Sequence, residues 1–503
     1  MALENTVFNR RFCVNPYKTL RLPLGELSCE KDWVNTKRGD TYPVKEKTNV
    51  LESVEGGAYF VKNDTNESGR VTRILGSHFP ISTYELKLNE LTGKAGFTLT
   101  AGALTFTALV SYNKDKYNIE VLTDKGALAS FEHIAPFVPG SRFLLTMIYE
   151  KAELYIAEGE HIGFVGACEY KDFSIIDRTK VYENATSVLT VALEKGESAY
   201  LNCEFYLDGG VSQADFRAVT YEDGTPVIEN GRAFLTCSAR YIDSGYQMVI
   251  SWKPGLNDFR LEGALFYDPG DGRMCGDDRM CGDVAATLVY DRNKSEWLLW
   301  ACSFSHGHIL CHTRMKADPR FGINVLDVTL MPAENSELTL SDDRLFLAKR
   351  GDEDPALVYD KARGKWIFSI CRVIATRNGN SEYRYYVYEG NDPFEGFTYI
   401  GNTTEGAGTG GSFIELDGER YLLSGANFDK RANYYLYPLG ALDTHTMLSF
   451  DYDDGGFRGW GTLIQVPAGT RTRKYLLTFD RHNGGTGNWT YGNVYVFEGV
   501  EKR

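Results

Sequence analysis

"EDPALVYDKARGKWIFSICRV", residues Glu353 to Val373, decides the fold. An acidic entry leads into a short apolar strand. A turn of Asp, Lys and Gly follows, then a second strand rich in Trp, Phe and Ile. The same unit recurs as "ADFRAVTYEDGTPVIENGRAFLTCSAR" (Ala214 to Arg240) and "GDVAATLVYDRNKSEWLLWACSF" (Gly282 to Phe304). It returns as "TGGSFIELDGERYLLSGANF" (Thr409 to Phe428) and "GWGTLIQVPAGTRTRKYLLTFDR" (Gly459 to Arg481). Five copies at intervals of roughly 50 to 70 residues are the mark of a radial repeat, with room for four strands per unit. The expected fold is a five-bladed β-propeller over residues 200–503; a second sandwich of hairpins is the alternative.

In a propeller the innermost strands line a central channel, and residues at their starts converge on one end of it. The entries here are Asp215, Asp283, Glu353 with Asp354, Gly410 with Gly411, and Gly459 to Gly461. Acids open three consecutive units. Adjacent residues on a strand face opposite ways, so one of Glu353 and Asp354 is expected to line the funnel.

Residues 1–199 have a different texture. Segments such as "STYELKLNEL" and "YNIEVLTD" alternate with period two between short turns, which marks antiparallel strands with one buried face. The expectation is an all-β chain with an N-terminal β-sandwich of jelly-roll or concanavalin-like type. It resembles modules often attached to carbohydrate-active enzymes.

Bulk composition narrows the partners. The net charge is −14, which disfavours nucleic acid and anionic membrane surfaces; it suits a neutral ligand such as an oligo- or polysaccharide, and equally an acidity that serves only solubility. No run of 18 apolar residues is present to span a membrane. The ten cysteines are scattered, mostly inside apolar runs, as free buried thiols are. With no apolar leader at the start, a cytoplasmic location is expected, or an exported protein whose signal has been removed. Nothing bears on oligomeric state.

The blade entries resemble those of the five-bladed furanosidase clan, glycoside hydrolase families 43, 32, 62 and 68. In that clan the first blade opens with a DP-type motif, the second with RDP and the third with ECP, EGP or EAP. Here "ADF" (Ala214 to Phe216), "GDV" (Gly282 to Val284) and "EDP" (Glu353 to Pro355) stand at those places. The third matches; the first two lack the proline, and Asp283 stands two residues further from its "LVY" than Asp354 from its own. The sandwich precedes the propeller, the reverse of family 32. The chain reads as a divergent relative.

The resemblance implies a glycoside hydrolase acting on a furanoside, arabinofuranoside or fructofuranoside. Asp215 would be nucleophile or base, Asp283 the modulator that orients substrate, and Glu353 the general acid. Glycoside hydrolysis needs such a pair of carboxyl groups in unlike environments. Asp354 competes with Glu353 for the acid role. Other readings are a propeller acting on a pyranoside or anhydro-sugar, a glycoside phosphorylase, and a glycan-binding propeller without catalysis.

Further substrate contacts are sought in Arg217, which is two residues beyond Asp215, and in Arg372, Arg481 and His482, which follow outgoing strands. His306 and His308 of "SHGHILCH" would share a strand face. Trp460, within "GGFRGWGT", is a candidate stacking platform, as are Trp252 and Trp489. Trp297, Trp300 and Trp366 read as blade core. Asp277 and Asp278, in the duplicated "RMCGD" stretch, read as a solvated loop. Cys275 and Cys281 lack the spacing of a zinc site. No cofactor is called for, although family 43 relatives sometimes hold a cation in the channel near a histidine, and a structural calcium there would be compatible.

Overall fold

The computed structural model describes the chain apart from residues 1–4, 15–19, 27–43, 56–57, 78–80, 149, 160, 175–184, 211, 242–244, 271–283, 332–345, 377–379, 407, 417, 427–432, 451–460, 480–492 and 502–503. It divides into two units, Leu22–Asp208, and Met1–Arg21 together with Gly209–Arg503.

The second of these is a ring of five antiparallel sheets. Blade 1 is built from Ser212–Ala218, Arg232–Arg240, Gly245–Trp252 and Phe259–Asp268, and Gly322–Asp327 adds a parallel strand to its outer edge. Blade 2 is Thr287–Asp291, Glu296–Ser303, Ile309–Met315 and Thr329–Leu330. Blade 3 is Phe346–Asp360, Lys365–Thr376, Ser381–Gly390 and Thr398–Asn402. Blade 4 is Gly408–Leu416, Glu419–Ala426, Tyr434–Pro438 and Thr446–Met447. Blade 5 takes Thr462–Ala468, Arg471–Phe479 and Val494–Glu501 from the end of the chain, and its outermost strand is Thr6–Val14 from the beginning.

That last strand corrects the division at 199/200. Thr6–Val14 belongs to the propeller, pairing antiparallel with Val494–Glu501, and the fully buried Phe8 sits in the core shared by blades 4 and 5. A ring closed by both ends of the chain cannot unwind from either end without losing a strand ladder.

Blade packing explains the apolar runs in the repeat. Within Glu296–Ser303, Trp297, Leu299 and Ala301 enter the core shared with blade 1. The alternate residues Leu298, Trp300 and Cys302 enter the core shared with blade 3. A strand buried on both faces has no polar face to show, so it reads as continuous hydrophobic sequence. Trp366 lies in the same blade 2–3 core, so all three tryptophans assigned to blade core lie between blades, Trp297 between blades 1 and 2 and the other two between blades 2 and 3. Blades 3 and 4 share a further cluster. Blades 5 and 1 meet through Trp252 against Tyr475 (5.4 Å between ring centroids) and through Ala218 N–H donating to Thr462 Oγ1 at 3.2 Å.

Leu22–Asp208 contains two antiparallel sheets. One orders seven strands from Gly126–Ile134 to Val44–Thr48; the other orders His161–Glu169 through Leu51–Glu55. They share one apolar core, in which Tyr84 of the second sheet packs on Phe97 of the first at 5.3 Å, and Phe97 on Phe143. Strand Lys116–Thr123 alternates buried and half-buried residues, the period-two pattern of its sequence.

Candidate active site

Four innermost strands carry the same kink. Asp215, Ala285, Asp354 and Gly410 all adopt positive φ, at +54°, +58°, +50° and +66°. Each lies two residues before its ladder resumes, at Arg217, Thr287, Ala356 and Ser412. In blades 1, 3 and 4 the kink is a β-bulge that interrupts the pairing. A left-handed conformation disfavours side-chain-bearing residues, and Asp tolerates it better than most. Repetition at one phase of four blades makes the kink a device of this end of the channel.

This phase settles the alignment of the acids. Asp354, not Glu353, is the blade 3 counterpart of Asp215, and the blade 2 counterpart is Ala285. Asp283 stands two residues ahead of that phase in the sequence and lies outside the described residues, as do Asp277, Asp278, Cys275, Cys281, Trp460, Arg481, His482 and Trp489.

The kink also brings Glu353 and Asp354, which strand alternation would send to opposite faces, to a common neighbour. Strand alternation does not survive a bulge. Both carboxyl groups converge on Thr409 of blade 4, whose Oγ1 lies 2.5 Å from Asp354 Oδ2 and 3.3 Å from Glu353 Oε1. Asp354 is buried and held on every side. Gly410 N–H donates to Oδ2 at 2.8 Å, and Arg217 Nη2 donates to Oδ1 at 3.2 Å. Its own N–H donates to Cys302 Sγ at 3.1 Å. Arg217, expected to face substrate, is instead a buried partner of Asp354 with a side chain only 2% exposed. The bulge carries it away from Asp215 toward blade 3.

Glu353 keeps a 15% exposed side chain. Its Oε2 lies 3.1 Å from His308 Nε2. Burial lifts its pKa above the ordinary glutamate value; the nearby charge of Asp354 adds to the rise, and the His308 contact opposes it. His308 stands in a tight seat. Its ring packs on Phe304 at 4.7 Å between centroids, and Gly351 lies so close beneath it that an added Cβ would come within 2.4 Å of the imidazole. His306 and His308 do not share a strand face. Phe304–His306 is a 3₁₀ turn, Gly307 and His308 both have positive φ, and His306 Nδ1 pairs with Ser303 Oγ at 2.9 Å.

Asp215 sits in blade 1 with its Oδ2 accepting from Ser238 Oγ at 2.6 Å and Arg240 Nη2 at 3.0 Å. Its link to blade 3 is the buried Cys302 thiol, whose pKa burial pushes up and which the negative charges of Asp354, Glu353 and Asp215 push further. The Cys302 thiol thus feels the charge of all three carboxyl groups.

Two further expectations are corrected. Arg372 is a buried partner of Asp352 (3.3 Å), both side chains 1% exposed, and its guanidinium lies 5.0 Å over Tyr386. Trp252 is fully buried, donates Nε1–H to Leu256 O at 2.8 Å and packs on Phe259 and Tyr475, so it is core and not a platform. Cys168, Cys203, Cys237, Cys302, Cys311 and Cys371 are free thiols, all but Cys168 buried. Among the described residues no group of three His, Cys, Asp or Glu side chains could hold a metal ion. His308 is engaged by Glu353.

Beneath the acids the channel narrows to a cavity of about 50 Å³ lined by Arg217, Thr220, Thr287, Ala356, Ser412 and Thr462. A wider cavity of about 810 Å³ opens at the other ends of the innermost strands, between Tyr221–Gly231 and Gln465–Thr472. It contains none of the acids described above.

Thr409, Ser238, Arg240 and Cys302 were not singled out from the sequence. For Thr409 a signal existed: it precedes Gly410, the fourth blade's entry, as Glu353 precedes Asp354.

No family model matches the chain, and no curated protein matches it. Solved structures are similar to parts of it. It is similar to 1,3Gal43A, an exo-beta-1,3-galactanase from Clostridium thermocellum, at 13% identity over 56% of this chain and TM-score 0.37; the match spans 62% of that chain, less than two thirds of it. It is similar to an alpha-L-arabinofuranosidase from Podospora anserina at 13% identity, over 57% of this chain and 92% of that one, with TM-score 0.36. It is also similar to a legume lectin-like domain from Entamoeba histolytica at 15% identity, over 36% of this chain and 96% of that one, with TM-score 0.27.

Proposed function

We propose that this chain is a glycoside hydrolase whose active site is the acidic end of the propeller channel. The observation that carries the reading is the pair of unlike carboxyl groups in one neighbourhood. Glu353 is partly exposed and held toward its protonated form by burial and by Asp354. Asp215 is paired with the guanidinium of Arg240. Two carboxyl groups in contrasting surroundings are what acid-assisted glycoside cleavage requires.

In this mechanism Glu353 gives its proton to the glycosidic oxygen as the bond to the anomeric carbon breaks. Asp215 attacks that carbon or takes a proton from the water that does. Asp354 supplies the like charge expected of Asp283, placed where it acts on Glu353. His308 orients Glu353 through Oε2. The blade-entry motifs that resemble the furanosidase clan make a furanoside the preferred substrate. Leu22–Asp208, with two sheets over one core, is read as a jelly-roll or concanavalin-like sandwich.

The test is a panel of chromogenic α-L-arabinofuranoside, β-D-fructofuranoside, galactofuranoside and β-D-xyloside substrates, run with the unmodified chain and with Glu353→Gln. Hydrolysis of a furanoside that the variant loses, with binding retained, is the expected result. A chain that binds glycan and cleaves nothing would be a lectin, and the proposal would fail.

A further inference from the structure

The hydroxyl of Thr409 stands between two carboxyl groups, and it has one proton to give. Its Oγ1 is 2.5 Å from Asp354 Oδ2 and 3.3 Å from Glu353 Oε1, so the shorter contact takes the proton. Toward Glu353 the hydroxyl then presents only a lone pair. A carboxylate there would face oxygen against oxygen, whereas a carboxylic acid can donate to it. The remaining partners break the symmetry the same way. Arg217 and Gly410 N–H both serve Asp354, and neither reaches Glu353.

We propose that Thr409 is a positioning residue that makes Glu353 and Asp354 an asymmetric pair: its hydroxyl donates to Asp354 and accepts from Glu353, so the proton of the pair resides on Glu353. The inference deepens the hydrolase reading and rests on it for the use of that proton. Among the described residues, the titratable and charged groups around Glu353 are His308 on its other oxygen, Asp354 and its partner Arg217, and the buried thiols of Cys302 and Cys371. Arg217 neutralises Asp354 in part, and the His308 contact opposes protonation of Glu353, as would a Thr409 hydroxyl that donated to it. A hydroxyl that accepts is the group that would tip the pair toward the acid form.

The experiment is a ¹³C NMR titration of the Glu353 carboxyl, assigned by its disappearance in Glu353→Gln, in the unmodified full chain, Thr409→Val and Thr409→Ser. Losing an acceptor for the protonated form is expected to lower the Glu353 midpoint by roughly half to one pH unit in Thr409→Val, with Thr409→Ser close to the parent. A hydroxyl that merely donates to the Glu353 carboxylate would give an upward shift in Thr409→Val. That result, or no shift, overturns the proposal. A second measurement needs no variant. Neutron diffraction of the unmodified chain should place the Thr409 deuteron on the line to Asp354, and a deuteron aimed at Glu353 refutes the assignment. Neither readout uses substrate, so a chain inactive on every glycan would sink the hydrolase reading while the titration still decides the role of Thr409.

Discussion

Replacing Arg217 by methionine tests the buried pair on which the acidic end is built. The guanidinium and the Asp354 carboxylate are 2% and 8% exposed and 3.2 Å apart. Removing one partner of a buried ion pair costs about 3–5 kcal/mol because the other charge is left without compensation. Asp354 keeps two donors, Thr409 Oγ1 and Gly410 N–H, so the lower end, about 3 kcal/mol, is expected. Replacing Asp354 by asparagine in the same chain removes the stranded charge, so the double variant should recover more than half of the loss. Six of the seven tryptophans lie in the propeller unit, so tryptophan fluorescence during urea unfolding reports that unit. The transition of Arg217→Met should move to lower urea with an unchanged slope. A single variant within ~0.5 kcal/mol of the parent, or a double variant no more stable than the single, would refute the reasoning.

Four other outcomes follow from the same geometry. The kcat/KM profile should fall as pH rises through the Glu353 value, because the acid must be protonated; that limb should lie above the ordinary glutamate range of about 4.3 and vanish in Glu353→Gln along with at least ~100-fold of the rate. Gly351→Ala drives a methyl into the His308 ring, so overpacking should cost about 1–3 kcal/mol by chemical denaturation, and the Glu353 limb should move because His308 is displaced. Trp252→Ala should cost about 3–5 kcal/mol through the blade 1–5 core yet leave KM unchanged, whereas a stacking platform would show the reverse in steady-state kinetics. Phe8→Ala should destabilise the propeller by about 3–5 kcal/mol in the fluorescence-monitored transition, and a silent substitution would contradict closure of blade 5 by the first strand.

The blades were legible because their chemistry is local. Strands such as Glu296–Ser303 are buried on both faces, so each copy of the repeat announces itself as an apolar hairpin. Closure by Thr6–Val14 was not legible, since its partner Val494–Glu501 lies at the far end of the chain and no local pattern reports such pairing. At the acidic end the residues were found but their geometry was not. A positive φ at Asp215, Ala285 and Asp354 leaves no mark when the residue is not glycine, and without it period-two alternation wrongly separates Glu353 from Asp354. Counting back from "LVY" does align Asp354 with Ala285, each five residues before its tyrosine, and so leaves Asp283 two residues ahead of that phase. Arg217 and Arg372 misled for a different reason: an arginine near a blade entry or after an outgoing strand gives no sign in the sequence of whether it meets solvent or a buried carboxylate.

The most direct test is a crystal structure of the Glu353→Gln chain soaked with an oligosaccharide that the parent cleaves. The sugar should lie at the acidic end of the channel, its glycosidic oxygen within hydrogen-bond reach of residue 353 and its anomeric carbon facing Asp215. A sugar seated instead in the 810 Å³ cavity at the opposite ends of the strands, away from both side chains, would contradict the account.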